Sequence, residues 1–319
     1  MSRKKRIWLI VATCFTLFGA IIFSCVIAVT KGDFAKLSIG EWETNEYSLE
    51  ETYNNVSVIS DTADVTLVAS DMQTTTVVCY EEKNAKHTVS VQNGELVIKV
   101  HNEKKWYENW FNFVSPKITV YMPKGAYGML SVSLSTGDIQ IPKDFQWNSI
   151  DISGSTGDVT CCASVQENVK IKQSTGDIRL SNLSAGNVDL TTSTGDITLS
   201  SVTVLGDLNI KVSTGDINLQ ELSCNNFVSD GNTGDVTFRN VVAKEKLTIK
   251  RSTGDIRIER CDANAIRIET DTGDVKGTLL SGKTFIVKTD TGKISVPDNV
   301  SGGNCEIITD TGDIKISVE

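Results

Sequence analysis

The sequence predicts an all-β fold: a single-stranded β-solenoid (β-helix) of about ten rungs, each 19–20 residues long. Three observations predict it. The pair Thr-Gly occurs ten times, with Gly at 137, 157, 176, 195, 215, 234, 254, 273, 292 and 312, so successive copies lie 19 or 20 residues apart. A constant period near 20 without insertions is what a stack of equivalent coils requires. Around each Gly the aliphatic positions fall two residues apart, as in Leu208 and Ile210 before Gly215 and Ile217 and Leu219 after it. That spacing marks two short strands with alternate side chains pointing inward. Finally, the inward positions on the two sides of the Gly are separated by seven residues, an odd number, so the chain must change parity at the corner. Glycine supplies the positive φ or bulge that such a change needs. Ten rungs at ~4.8 Å make a rod on the order of 50 Å long.

The elements follow in chain order. Residues 1–30 read as a basic stub and a transmembrane anchor. Ile7 to Val29 is a run of 23 uncharged residues, which as a helix spans roughly 35 Å, enough for a hydrocarbon core of ~30 Å. Arg3, Lys4, Lys5 and Arg6 precede the run, so the expected orientation keeps the N-terminus cytoplasmic and sends residues 31–319 outside a single-pass membrane protein. A secretory signal has a shorter apolar stretch and a small-residue cleavage site. The tetrapeptide Ile22-Phe23-Ser24-Cys25 resembles a lipobox with Cys25 as the lipidated residue. Phe23 and the apolar continuation through Val29 favour an uncleaved span.

Residues 31–44 read as a linker and 45–128 as a less regular β region. Within it, Val56 to Leu67 matches the repeat with Ala63 in the place of Gly. Val89 to Ile98 reads as a hairpin turned by Asn93-Gly94, a type I′ pair. Lys117 to Met122 is a strand closed by Pro123-Lys124-Gly125. Residues 129–319 are the Ser-Thr-Gly-Asp solenoid proper.

The repeated Ser-Thr-Gly-Asp-Ile motif, the aromatic loop before it, the strand ending in Met122-Pro123-Lys124-Gly125 and the N-terminal anchor together resemble the putative-adhesin β-strand repeat family, a domain of unknown function common in Gram-positive bacteria. The resemblance covers roughly residues 45–319. It implies a β-solenoid, often membrane-anchored and sometimes linked to cell-envelope stress systems. It implies no catalytic residues.

Charge bounds the partners. The chain carries 40 acidic and 31 basic residues, a net −9, and four of the basic residues precede the apolar run. An ectodomain so acidic lacks the clustered Lys and Arg that phosphate contacts need, which excludes a nucleic-acid surface. The expected partners are the cell membrane, through Ile7–Val29, and envelope components or membrane proteins.

Three residue groups are candidate sites. Asp follows the corner Gly in nine copies, with Lys293 the exception. Stacked carboxylates repel, so each Asp is expected to accept N–H bonds at its own turn, with Lys293 seated between Asp274 and Asp313 to relieve the column. The alternative is a row of cation sites. Asp271, Asp290 and Asp310 add acids beside Asp274 and Asp313, an oxygen-rich set of the kind calcium takes. No other cofactor is expected. The Thr before each Gly is expected to form a hydroxyl ladder. The second group is Trp106, Tyr107, Trp110, Phe111 and Phe113, read either as a cap on the first rung or as a binding patch for a membrane interface, a sugar or a protein. Six cysteines follow the membrane run. Cys161 and Cys305 fall on inward columns, and no Cys-x-x-Cys spacing suggests a disulfide framework.

The function these readings favour is non-enzymatic: adhesion or cell-envelope interaction, with an envelope-stress accessory role as the alternative. A carbohydrate-active β-helix enzyme is the contrasting class. Enzymes on such scaffolds place their sites in loops that depart from the repeat. Here rung length is constant, and no Ser-His-Asp, Cys-His or carboxylate pair stands out.

Overall fold

The computed structural model describes residues 3–31, 41–102, 114–298 and 301–319. Helix α1 runs Arg3–Thr30, and its segment Trp8–Thr30 has a mean hydropathy of 2.5 and is exposed along nearly all its length, with Thr30 buried at its end. The hydroxyls inside this apolar stretch are satisfied locally. Thr13, Thr16 and Ser24 donate to the carbonyls four residues earlier at 2.8–2.9 Å, as polar side chains in an apolar helix do.

The remainder forms one 25-stranded sheet wound into a solenoid. A middle rung shows the rule. In Asp207–Thr214, Leu208, Ile210 and Val212 are buried, and after the corner so are Ile217 and Leu219, while Lys211 and Asn218 face outward. The next rung lies parallel and in register, Leu208 opposite Phe227 and Thr214 opposite Thr233. At the corner the Gly N–H donates to the Thr carbonyl of the neighbouring rung, 2.9 Å from Gly215 to Thr233. All ten corner glycines have positive φ, between +132° and +159°. Space demands glycine as well, because a Cβ on Gly215 would lie 2.1 Å from the Gly195 carbonyl oxygen. The expected parity change is therefore made by glycine at the point where adjacent rungs come closest.

The column three residues before the Gly is also turned inward. Ser60, Gln173, Thr192, Arg251, Thr270 and Thr309 occupy it and are all buried. Several reach the corner carbonyl of the neighbouring rung: Gln173 donates to Gly157 O (3.3 Å), Thr309 to Gly273 O (3.2 Å) and Thr289 to Gly312 O (3.0 Å). An acceptor at the crowded vertex is thereby satisfied. Arg251 accounts for the irregular rung beneath it. Its Nη1 occupies the space a Cβ on Gly231 would need, its Nη2 lies 3.3 Å from Ser229 Oγ, and Ser229 stands where other rungs carry Ile, Leu or Val. A second corner, six residues after the Gly, is turned by Asn182, Ser201, Glu221, Asn240 and Arg260, all with φ of 52–55°. Their side-chain types share no pattern.

The stacking order departs from the sequence order at both ends. Strand Gly303–Thr311 pairs with Ile256–Thr272 on one side and Lys283–Thr291 on the other. The last rung in the chain is thus enclosed, and the one before it in sequence forms the outer edge. At the other end, β2 (Asn55–Thr62) lies between β6 (Glu95–Asn102) and β8 (Gly125–Thr136), parallel to both, and β3 (Asp64–Ser70) pairs with β7 (Lys117–Pro123). The first rung is enclosed in the same way. Val56, Val58, Ala63, Val65 and Leu67 are buried, as the match with Ala63 in the Gly position predicts.

An antiparallel layer closes the N-terminal end. Strand β4 (Thr75–Glu82) pairs with β1 (Trp42–Leu49) and β7, and β5 (Ala85–Gln92) with β6. The β5–β6 turn is the expected one, with φ of 52° at Asn93 and 77° at Gly94. Aromatic rings ten residues before three successive corners stack inside, Tyr53 on Tyr127 at 6.0 Å and Tyr127 on Trp147 at 5.1 Å. Cys79, Cys161, Cys224, Cys261 and Cys305 are buried as free thiols.

Candidate functional site

The Asp column is continuous, but its bonding differs from the expectation. Each carboxylate serves the next rung rather than its own turn: Asp158 Oδ1 accepts the Asp177 N–H at 2.9 Å, and Asp177, Asp196 and Asp216 repeat the contact at 2.8 Å. The chain begins at Asp64 and passes through Asp274 and Asp313 to the Lys293 N–H. Lys293 therefore ends the column instead of sitting between Asp274 and Asp313, because the last two rungs exchange places. Relief of repulsion comes from cations two residues beyond the Asp. Arg179 contacts Asp158 and Asp177, Arg257 lies 3.1 Å from Asp255, and Lys276 Nζ is 2.6 Å from Asp274 Oδ2. The Asp177 N–H, ahead of Arg179, holds the Asp158 carboxyl below its ordinary range. At Asp274 the Lys276 contact leads, followed by the Asp313 N–H. The Thr column is joined through its backbone carbonyls, and among the described residues its hydroxyls make no hydrogen bonds.

Asp271, Asp310 and Asp290 lie on three adjacent rungs and are exposed. Asp290 Oδ1 is 2.9 Å from Lys288 Nζ. The aromatic candidates Trp106, Tyr107, Trp110, Phe111 and Phe113 lie outside the described residues.

One cluster was not read from the sequence. Ser60 from the first rung, Cys79 and Glu81 from β4, and His87 from β5 meet inside the N-terminal cap. His87 Nδ1 is 2.6 Å from Glu81 Oε2, which also accepts the His87 backbone N–H at 2.6 Å, and Nε2 is 3.0 Å from Ser60 Oγ. Asn45 Nδ2 donates to Glu81 Oε1 at 2.7 Å, and the Tyr47 hydroxyl to the His87 carbonyl at 2.9 Å. Glu81 and Cys79 are 0% exposed, His87 2% and Ser60 4%. Burial alone would raise the Glu81 carboxyl. The opposing bonds from His87 and Asn45 outweigh it and leave the group below its ordinary range. The Cys79 thiol, buried beside that carboxylate, is pushed up to about 12. No Ser-His-acid set stands out in the sequence, yet the fold brings Ser60, His87 and Glu81 together, with the serine hydroxyl enclosed. A signal was available. Glu81 falls on the same phase of β4 as Val77 and Cys79, and His87 on that of Val89 and Val91, so each places a polar group on an apolar face.

A depression of about 600 Å³ lies where the exchanged rungs cross, lined by Lys244, Glu245, Asp262, Asn264 and Lys283. Lys283, 3% exposed, is already held at 2.6 Å by both Asp262 and Ser281.

These features define a parallel β-solenoid with an acidic ridge along one corner. The Toastrack DUF4097 family matches residues 53–206 and 203–319, and the chain belongs to it, as the Ser-Thr-Gly-Asp repeat suggests. Among solved structures, a putative adhesin from Bacteroides fragilis is 15% identical with a TM-score of 0.45, covering 87% of this chain and 97% of its own. A putative adhesin from Parabacteroides distasonis is 12% identical (TM-score 0.48, 88% and 98% covered), and a putative lipid binding protein from the same organism 20% identical (0.46, 75% and 98%). No curated protein matches the chain.

Proposed function

We propose that the protein is a non-enzymatic, membrane-anchored rod that holds a rigid acidic surface outside the cell for adhesion or contact with envelope components. The observation that carries this reading is the pairing of α1, apolar and exposed along nearly all of Trp8–Val29, with a solenoid whose rungs are tied by backbone bonds at every corner. An apolar helix left bare by its own protein needs lipid around it, and the basic residues before it orient the rod outward. Among the described residues the rungs carry no long loops, so the stack offers extended surface for binding. Protease added to intact protoplasts carrying the full chain tests the reading. Digestion of the rod with retention of a short membrane-bound fragment is expected. A rod protected until the membrane is breached would overturn the orientation. Release of a chain lacking α1 into the medium would show a cleaved signal in place of an anchor.

A further inference from the structure

We propose that Cys79, Glu81 and His87 form a buried binding site for a divalent cation of zinc-like softness, with a thiolate, a carboxylate oxygen and an imidazole nitrogen as ligands. The ligand atoms of these three side chains all lie within 4.8 Å of one another. Mixed sulfur, nitrogen and oxygen donors suit zinc or cobalt, whereas calcium and magnesium take oxygen alone.

The surroundings supply what such a site needs. A metal-bound imidazole has its second nitrogen held, and a bound carboxylate has its second oxygen bonded. Ser60 Oγ lies at His87 Nε2 and Asn45 Nδ2 at Glu81 Oε1, so the atoms an ion would take are Nδ1 and Oε2, which here bond to each other while Oε2 also accepts the His87 backbone N–H. Charge balances as well. A dication with one thiolate and one carboxylate is neutral, the condition a fully buried site favours.

A purely structural role for the cluster explains Glu81, His87 and Ser60, whose bonds tie the cap to the first rung. Cys79 packs in the apolar core, and it is the one member of the cluster whose ligand atom has no hydrogen-bond partner among the described residues. An ion that takes the sulfur as a thiolate displaces the thiol proton. Binding therefore releases the thiol proton to solvent, while the imidazole takes the ion through Nδ1 and keeps a proton on Nε2 toward Ser60. The 2.6 Å gap between Nδ1 and Oε2 has to open by about 0.7 Å to hold an ion at ~2.05 Å from each in tetrahedral geometry.

The test is a titration of the chelator-treated full chain, in detergent micelles, with cobalt(II) chloride. One equivalent should produce an intense near-ultraviolet thiolate-to-cobalt band together with the visible bands of a tetrahedral ion. Zinc should displace it, and zinc added to the metal-free chain should release a proton. Cys79→Ser should abolish the near-ultraviolet band, and Ser60→Ala should weaken binding about tenfold, with far-ultraviolet circular dichroism confirming the fold. Weak octahedral absorption alone, or a charge-transfer band that persists in Cys79→Ser, would overturn the proposal. Proton release is measured on the unaltered chain, so the test holds even where a variant fails to fold, and its absence on zinc addition would also overturn the proposal.

Discussion

The middle of the solenoid and its two ends are built from the same rung but stacked by different rules. From Asn168 to Thr253 each rung touches the one before and the one after it in the chain. At both ends this order breaks, and the first and last rungs in sequence are enclosed by neighbours from further along or further back. The repeat specifies the shape of a rung, not which rung lies beside it. Every rung offers the same aliphatic columns and the same corner amides, so any two can stack. The exchange places the first and last rungs of the solenoid inside paired sheet. What faces solvent at the C-terminal end is the edge strand Lys283–Thr291 with Ile294–Ser295, where Lys288, Lys293 and Pro297 blunt further pairing.

The sharpest way to break the comparison is to remove the last rung. In a solenoid stacked in sequence order, stopping the chain after residue 300 would strip an edge and leave its neighbour intact. Here it removes an interior layer containing Cys305, Ile307, Ile314 and Ile316, all buried, at about 1.5–3 kcal/mol per large aliphatic side chain. Lys283–Thr291 also loses the strand it pairs with. Hydrogen exchange should then show loss of protection across residues 283–295 as well as in the rung ending at Thr272. Protection retained over 283–295 would refute the exchanged order.

Next in size is the corner. Gly215→Val places a branched side chain at φ +146° against the Gly195 carbonyl, which combines backbone strain with overpacking and should cost roughly 3–5 kcal/mol. Asn218→Val, three residues on and facing outward, should stay within about 0.5 kcal/mol. Chemical denaturation measures both, and equal effects would contradict the parity change at the corner.

The same contrast explains what the sequence made legible. The rungs, the corner glycines, the Asn-Gly hairpin and the match at Val56 to Leu67 depend on residue type recurring at fixed spacing, which is visible in one chain. The inward column at Gln173, Thr192, Val212 and Arg251 escaped notice because satisfying a corner carbonyl, or merely filling space there, is a task many side chains perform. The second corner escaped because Asn182, Ser201, Glu221, Asn240 and Arg260 share only a backbone conformation. Stacking order is a property of contacts between equivalent rungs, so nothing local encodes it. The Cys79, Glu81 and His87 cluster lies in the irregular cap, where no repeat exists to make a departure conspicuous. There the only clue is polar groups on the apolar phase of two strands.

The smallest expected effect concerns the acidic corner at the exchanged end, where order and chemistry meet. Asp271, Asp310 and Asp290 follow one another on adjacent rungs, with Asp274 and Asp313 beside them. A calcium ion would need six to eight oxygens, yet several of these are engaged. Asp274 holds the Asp313 N–H with one oxygen and Lys276 with the other, Asp313 holds the Lys293 N–H, and Asp290 faces Lys288. Releasing those bonds offsets what an ion would contribute, and the ridge is therefore expected to serve stacking and to leave calcium unbound. Melting the full chain in micelles with millimolar calcium, magnesium or chelator should give nearly the same temperature in all three, apart from general screening. A bound ion at a hundredfold excess over its Kd would instead add about 2.7 kcal/mol. A calcium-selective rise of that size, lost in Asp290→Asn with Asp310→Asn, would make the exchanged end a cation site. It would also give the departure from sequence order a chemical purpose in place of a purely structural one.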